Sequence, residues 1–151
     1  MDALKLHLFL NYYPAILTAA GTAFLTIGIW LKSGRATRTG LWIMIAAAIV
    51  AMPVFVSGEI SGGASFALTG LLSDALRSHQ EAARPAFLVM AAAGLASLIG
   101  LILLKIKTDY ARIGVILALI LGLTASVLII RTTYIGRQVK WAGKPAANEG
   151  M

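Results

Sequence analysis

Four long apolar stretches, at about residues 8–31, 41–57, 86–104 and 113–131, constrain this chain more than any other feature. The first three contain no Lys, Arg, Asp or Glu, and the fourth reaches its first charge at Arg131. A helix needs roughly 20 predominantly apolar residues to cross the hydrocarbon core of a bilayer. The pattern therefore predicts an all-α membrane protein in which four transmembrane helices form a bundle.

The composition agrees with this prediction and excludes several classes of protein. The 151 residues are 59% hydrophobic and 13% charged, with a mean hydropathy of +0.85, whereas soluble domains carry about a quarter charged residues. The net charge of +7 indicates contact with a lipid bilayer and not with nucleic acid, because the Lys and Arg residues lie between and beyond the apolar stretches. The chain has no cysteine, which excludes disulfides and thiolate metal sites.

The segment 57–85, between the second and third spans, is more polar than the spans. Its portion 64–84 has the pattern of an amphipathic helix, with Ser73 as a helix cap. We expect this helix to lie at the membrane interface or to extend the third span outward, with Pro85 kinking or starting that span. Residues 1–141 then form a single membrane domain, and 142–151 is predicted to be a flexible C-terminal tail.

Four spans place both chain termini and segment 57–85 at one end of the bundle, here called the termini end. The joints 32–40 and 105–112 lie at the other end, here called the turn end, together with Trp30, Trp42 and Tyr110, which are typical interfacial aromatics. The density of basic residues in the joints favours a cytoplasmic turn end and an outer (periplasmic) termini end. These residues are Lys32, Arg35, Arg38, Lys105, Lys107 and Arg112.

Small and hydroxylated side chains recur every four residues along three spans and predict close helix packing. The fourth span has Gly114, Ala118, Gly122 and Ser126, and the third has Ala96 and Gly100. The first has Thr18, Thr22 and Thr26, a polar stripe that we expect to face protein and not lipid. A compact bundle and a homo-oligomer both fit this pattern.

Polar side chains of all four spans are predicted to meet at the termini end. Spans one and three run parallel, so His7 and His79 are expected at similar depth. Two neutral imidazoles on neighbouring helices can ligate a haem iron from both sides, which predicts a b-type haem site with these axial ligands. The supporting polar residues are Asn11, Tyr12, Glu59, Glu81, Arg131, Tyr134 and Gln138.

Other interpretations of these residues stay open. Each histidine can instead be interfacial and hydrogen-bonded to a carboxylate or a backbone carbonyl. Glu59 can pair with Arg131, or both can be solvated, and a metal site of the two histidines with Glu59 or Glu81 ranks below haem. The sequence contains no Walker loop, nucleophile elbow or HExxH motif, so we assign no catalytic residue and predict no hydrolase or transferase.

Four motifs occur in order along the chain: HLFLNYYP (7–14), SGE (57–59), SHQEAA (78–83) and TYIGRQVKW (133–141). Together they resemble a widespread bacterial family of small four-span membrane proteins of unknown function, with the pattern H-L-x-x-N-H-x-P, G-E, H-x-E and Y-x-G-G-x-I-R-H. The pattern is partly degenerate here, because Tyr12 and Trp141 stand where the family tends to have histidine and Arg137 replaces the second glycine. Two of the four recurrent histidine positions are kept.

The resemblance implies a multi-pass protein of the bacterial inner membrane with a suspected redox or haem association. We therefore expect an accessory component of a larger respiratory or photosynthetic electron-transfer complex, with haem b held by His7 and His79. The alternative is a structural or assembly subunit, or a homo-oligomer, without a cofactor. A transporter or channel is disfavoured because the spans lack acidic residues and inverted repeats.

Overall fold

The computed structural model describes residues 10–63 and 71–142, and their side chains except at 61–63, 71–73 and 137–142. The described chain forms four helices: α1 (Tyr12–Trp30), α2 (Gly34–Gly63), α3 (Leu71–Lys105) and α4 (Ala111–Ala142). Each is long and apolar enough to cross a membrane. The predicted all-α, four-span membrane fold is confirmed, and the chain is a multi-pass integral membrane protein.

The helices alternate in direction around a square bundle. Helix α2 packs between α1 and α3, α3 packs on α4, and a smaller α1–α4 contact closes the bundle. The register of α3 and α4 is fixed by two contacts, Gly100 with Gly114 near the turn end and His79 with Gly136 near the termini end. From these helix contacts, α1 and α3 lie diagonally opposite each other and are not adjacent. His7 lies outside the described residues, so the predicted His7–His79 site stays a prediction.

The bundle interior is narrow and built largely from small side chains. Its centre holds Leu25, Leu41 and Met44, surrounded by Ala93, Ala96, Val115 and Ala118. In the most apolar part of each span only 28–33% of the residues are buried, and the outer faces carry exposed leucine and isoleucine side chains. Lipid is the solvent that such faces require, so the exposed apolar surface agrees with the membrane assignment.

Glycines let the helix backbones touch in the half of the bundle nearest the turn end. A Cβ at Gly28 would lie 2.6 Å from the Thr37 nitrogen, and a Cβ at Gly40 would lie 2.8 Å from the Leu25 nitrogen. A Cβ at Gly114 would lie 3.1 Å from the Gly100 Cα. Two of the glycines predicted to mediate close packing, Gly100 and Gly114, thus meet each other directly.

The threonine stripe of α1 faces the interior along part of its length. Thr18 and Thr22 are buried, and each hydroxyl donates to the carbonyl four residues earlier. Thr26 makes the same hydrogen bond but is exposed. The reason is geometric: each four-residue step turns about 40° too far on a helix of 3.6 residues per turn, so Leu25 and Gly28 replace Thr26 on the buried face.

Both short turns end their preceding helix in the same way, with a lysine in the left-handed region. Lys32 has φ 52° and Lys107 has φ 55°. In each turn the next residue donates its backbone N–H five residues back, Ser33 to Gly28 and Thr108 to Leu103. These are Schellman motifs, in which glycine is the usual left-handed residue. The equivalent turns define α1–α2 and α3–α4 as two similar hairpins.

Within the described residues, the predicted amphipathic segment is not a separate interfacial helix. Its described portion belongs to α3, which runs without interruption from Leu71 through Pro85 to Lys105. The expectation of an outward extension of the third span is therefore the one observed, and Pro85 neither starts nor ends the helix. Residues 64–70 and 143–151 lie outside the described chain, so the expected tail is described only at Ala142, the last residue of α4.

Helices α2, α3 and α4 are longer than a membrane crossing requires. Their 30, 35 and 32 residues correspond to about 45–52 Å, against about 30 Å of hydrocarbon core. Exposed Trp30, Trp42 and Tyr110 mark the interface at the turn end. The excess length therefore projects at the termini end, where it carries the candidate site.

Candidate functional site

His79 is the one of the two candidate haem ligands that lies among the described residues. It lies in the extended first part of α3, and its ring is directed towards α4. The Nδ1 atom is 3.2 Å from the backbone carbonyl oxygen of Thr132. Because a carbonyl oxygen only accepts hydrogen bonds, Nδ1 must carry the proton. In the neutral imidazole Nε2 then holds the lone pair, and a nitrogen with a lone pair can bind a metal or accept a proton.

Gly136 provides the space in which the imidazole lies. A Cβ at this glycine would be 3.0 Å from both Cε1 and Nδ1 of His79. Thr132 and Gly136 are one helical turn apart on α4, so one supplies the acceptor and the other the surface against which the ring packs. A side chain at position 136 would therefore require the ring to shift by a few tenths of an ångström.

Thr132 also ties α3 and α4 together through its side chain. Its hydroxyl lies 3.0 Å from the Ala82 carbonyl of α3 and 2.9 Å from the Leu128 carbonyl of its own helix. Pro85 has no N–H to offer the carbonyl of Glu81, so α3 has a weakened hydrogen-bond ladder at this level. A threonine on a neighbouring helix commonly supports such a site. The segment that holds His79 is therefore braced by α4.

Three of the four sequence motifs meet at the termini end. His79 of SHQEAA packs on Gly136 of TYIGRQVKW, and Glu59 of SGE forms an ion pair with Arg84, directly after SHQEAA. The Arg84 Nη2–Glu59 Oε2 and Nε–Oε1 distances are 3.3 and 3.4 Å. Phe55 and Phe87 stack one turn deeper, with ring centroids 4.4 Å apart, so α2 and α3 are held together beside the site.

The ion pairs at the termini end differ from the one that the sequence predicted. Glu59 pairs with Arg84 and not with Arg131, which is exposed on α4. Arg84 lies on α3, which packs directly against the helix that carries Glu59, α2. Arg131 lies on α4, which is diagonal to α2 and barely touches it. Arg84 is therefore the closer cation. Glu81 pairs with Arg77 one turn earlier, at 3.0 Å on the exposed face of α3. Both carboxylates are therefore engaged by arginines.

The remaining predicted residues do not converge on His79. Asn11, Tyr12 and Tyr134 are exposed on the outside of the bundle. His7 and the side chain of Gln138 lie outside the described residues. Over the ranges 10–60, 74–136, no group of three or more His, Asp or Glu side chains is arranged to hold a metal ion. The described part of the site is one oriented histidine with its acceptor and its glycine.

Sequence reasoning missed Thr132, Gly136 and Arg84. The signal for the first two is their spacing of four residues at the end of α4, which places a hydroxyl and a gap on the face that meets α3. Nothing in the sequence alone indicates which helix that face meets. Arg84 is separated from Glu59 by 25 positions, so only the α2–α3 register brings them together.

Comparison of the chain with protein-family models, with curated proteins and with solved structures finds no match. The resemblance drawn from the four motifs therefore stays a prediction. The membrane character, the four spans and the geometry around His79 rest on the sequence and structure of this chain and not on a relative.

Proposed function

We propose that this protein is a small accessory component of a membrane electron-transfer complex and that His79 would hold a b-type haem at the termini end. The observation that carries the proposal is the hydrogen bond from Nδ1 of His79 to the Thr132 carbonyl. Metal-bound histidines characteristically donate their second ring N–H to a carbonyl or carboxylate, which fixes the tautomer and the ring orientation. His79 meets this requirement.

The residues around His79 have distinct roles in this proposal. The Thr132 carbonyl orients the ring, Gly136 gives it space, and the Thr132 hydroxyl holds α3 against α4. His7, which lies outside the described residues, is the proposed second ligand. Haem supplies one-electron transfer when bound, with a potential set by its ligands and their hydrogen bonds.

The same hydrogen bond also fits a histidine with a purely structural role. In that case the protein is the alternative, an assembly subunit or a homo-oligomer without a cofactor. The two functions differ in what Nε2 does. In the first it binds iron, and in the second it is satisfied within the protein. An optical experiment separates them because only the first gives the preparation a colour.

The protein is purified in mild detergent from haem-replete cells, and its absorption spectrum is recorded oxidised and reduced. The proposal predicts a Soret band and a reduced-minus-oxidised alpha band that are lost in His79→Ala and in His7→Ala. Glu81→Gln is the matched control, because it removes a negative charge two residues away that is paired with Arg77 on the exposed face of α3. A colourless wild-type preparation contradicts haem binding and leaves the alternative.

The accessory role is tested in the same preparation. Co-purification with the subunits of a membrane oxidoreductase is expected after gentle solubilisation, and it should persist in Glu81→Gln. If the protein migrates alone in several mild detergents, the accessory role is contradicted even where haem is present.

A further inference from the structure

An open groove lies at the turn end between the first turns of α2 and the last turns of α3. Its volume is about 460 Å³, within the range of small-ligand sites. The floor is formed by apolar leucine and isoleucine side chains of α3 from Leu98 to Leu104, and Trp42 of α2 forms one wall. At the rim are three cations, Arg38 from α2 and Lys105 and Lys107 from the end of α3.

The three cations are available to a ligand. All are exposed, and none forms an ion pair with any residue in the described part of the chain. Asp109 is the single acidic residue in the joints 32–40 and 105–112, against six basic ones, and it does not line the groove. The rim is therefore a concentration of positive charge without internal compensation, which favours an anionic ligand.

The groove changes from charged to apolar along the membrane normal, as a phospholipid does from its headgroup to its acyl chains. Trp42, Trp30 and Tyr110 are 62%, 81% and 69% exposed at this end, which places the rim at the level of the lipid headgroups. Leu98 precedes Lys105 by two helical turns and so lies about 10 Å deeper, at the level of the acyl chains. Cations above and an apolar floor below match a phosphate and the start of a fatty-acyl chain.

We propose that this groove is a specific binding site for an acidic glycerophospholipid. The phosphate lies among Arg38, Lys105 and Lys107, and an acyl chain covers the floor beside Leu98 and Ile102. Basic recesses between transmembrane helices commonly bind such headgroups. A free phosphate ion would use the rim alone, whereas the apolar floor is explained only by a lipid. The site is independent of His79 and of any haem.

Quenching of Trp42 fluorescence by brominated lipids tests this site. In a Trp30→Phe/Trp141→Phe background Trp42 is the one remaining tryptophan of three. The protein is reconstituted in mixtures of phosphatidylcholine and phosphatidylglycerol in which one lipid is brominated. We expect phosphatidylglycerol to be preferred over phosphatidylcholine beside Trp42 by about tenfold. This preference is smaller than the attraction that three cations near the membrane surface can supply at low salt.

Two triple variants with the same loss of charge distinguish a site from general attraction. Arg38→Gln/Lys105→Gln/Lys107→Gln should abolish the preference, whereas Lys32→Gln/Arg35→Gln/Arg112→Gln removes three cations of the same end that do not line the groove and should keep it. Equal loss in both triples would overturn the proposal, as would no preference in the parent. The proposal would also be overturned if neither brominated lipid quenched Trp42, because the groove would then hold another occupant. If millimolar phosphate relieved the quenching by phosphatidylglycerol, the rim would be a site for a free anion and not for a lipid.

Discussion

Gly114 and Gly136 lie on the same helix near opposite ends of the bundle, and the space beside each is filled differently. Next to Gly114 it is filled by backbone, with the Gly100 Cα 3.1 Å from where a Cβ would be. Next to Gly136 it is filled by the His79 imidazole. The first glycine brings two helices together, and the second makes room for a functional side chain.

The same difference extends to the two ends as a whole. Towards the turn end, backbone contacts through Gly28, Gly40 and Gly114 hold the helices together. Towards the termini end, the helices are held by hydrogen bonds of Thr132, the Arg84–Glu59 ion pair and the Phe55–Phe87 stack. Backbone contact leaves no room for chemistry, whereas side-chain contact does. We therefore expect stability to depend mainly on the turn end and the proposed haem binding to depend on the termini end.

The largest effect on stability is expected at Gly28. A Cβ there would be 2.5 Å from the Thr37 hydroxyl oxygen and 2.6 Å from the Thr37 nitrogen, so Gly28→Ala must separate α1 from α2. The free energy of unfolding should fall by about 1–3 kcal/mol or more, the usual cost of overpacking. The measurement is equilibrium unfolding in mixed micelles followed by circular dichroism.

Gly34→Ala is the matched control for this substitution, because nothing lies within 4 Å of the added methyl group. It should leave stability unchanged or raise it by up to about 1 kcal/mol, since alanine is the better helix residue. Equal destabilisation by the two changes would contradict the role of backbone contact at the turn end.

A reciprocal pair of substitutions tests the two glycines of α4 directly. Gly136→Ala should weaken haem binding about tenfold, the lower limit for disturbing the orientation of a metal-bound histidine, with little loss of stability. Gly114→Ala should lower stability and leave haem affinity unchanged. Haem titration and unfolding are measured on both variants, and the same pattern in each would remove the distinction between the ends.

The sequence predicts the structure of the turn end better than that of the termini end. The four spans, the short basic joints and the small-residue stripes follow from hydropathy and spacing, which are local properties. The continuity of α3 was not decided by the sequence, because an amphipathic pattern is equally compatible with a helix along the interface and with one that projects from it. The partners of His79 and Glu59 depend on helix register, and register is a property of the whole bundle.

The two turns provide a smaller test, since they have the same geometry and different caps. Ser33 accepts a long hydrogen bond of 3.4 Å from the Ala36 N–H, whereas the hydroxyl of Thr108 is buried without a hydrogen-bond partner among the described residues. Thr108→Val should raise the free energy of unfolding by about 1 kcal/mol, because a buried unsatisfied hydroxyl is removed. Ser33→Ala should lower it by about 0.5–1 kcal/mol. Stabilisation by both changes would contradict the difference between the turns.

The smallest effect is expected for the left-handed lysines. Lys32→Gly should raise the free energy of unfolding by about 0.5–1 kcal/mol, because glycine adopts the observed φ of 52° without a steric penalty. Arg35→Gly, in the regular helix that follows, should lower it by about the same amount. Thermal unfolding of the two variants side by side gives the comparison, and a loss of stability in Lys32→Gly would show that the lysine side chain contributes more than its backbone costs.

Nitrogen-15 NMR of His79 tests most directly whether the termini end presents this histidine with Nε2 as its binding nitrogen. The chain has two histidines, so a His7→Gln variant labelled at histidine reports on His79 alone in lipid nanodiscs. In the neutral ring, we expect the proton on Nδ1 and the lone pair on Nε2. A neutral ring protonated at Nε2 would contradict the hydrogen bond to Thr132, and with it the proposed ligand role.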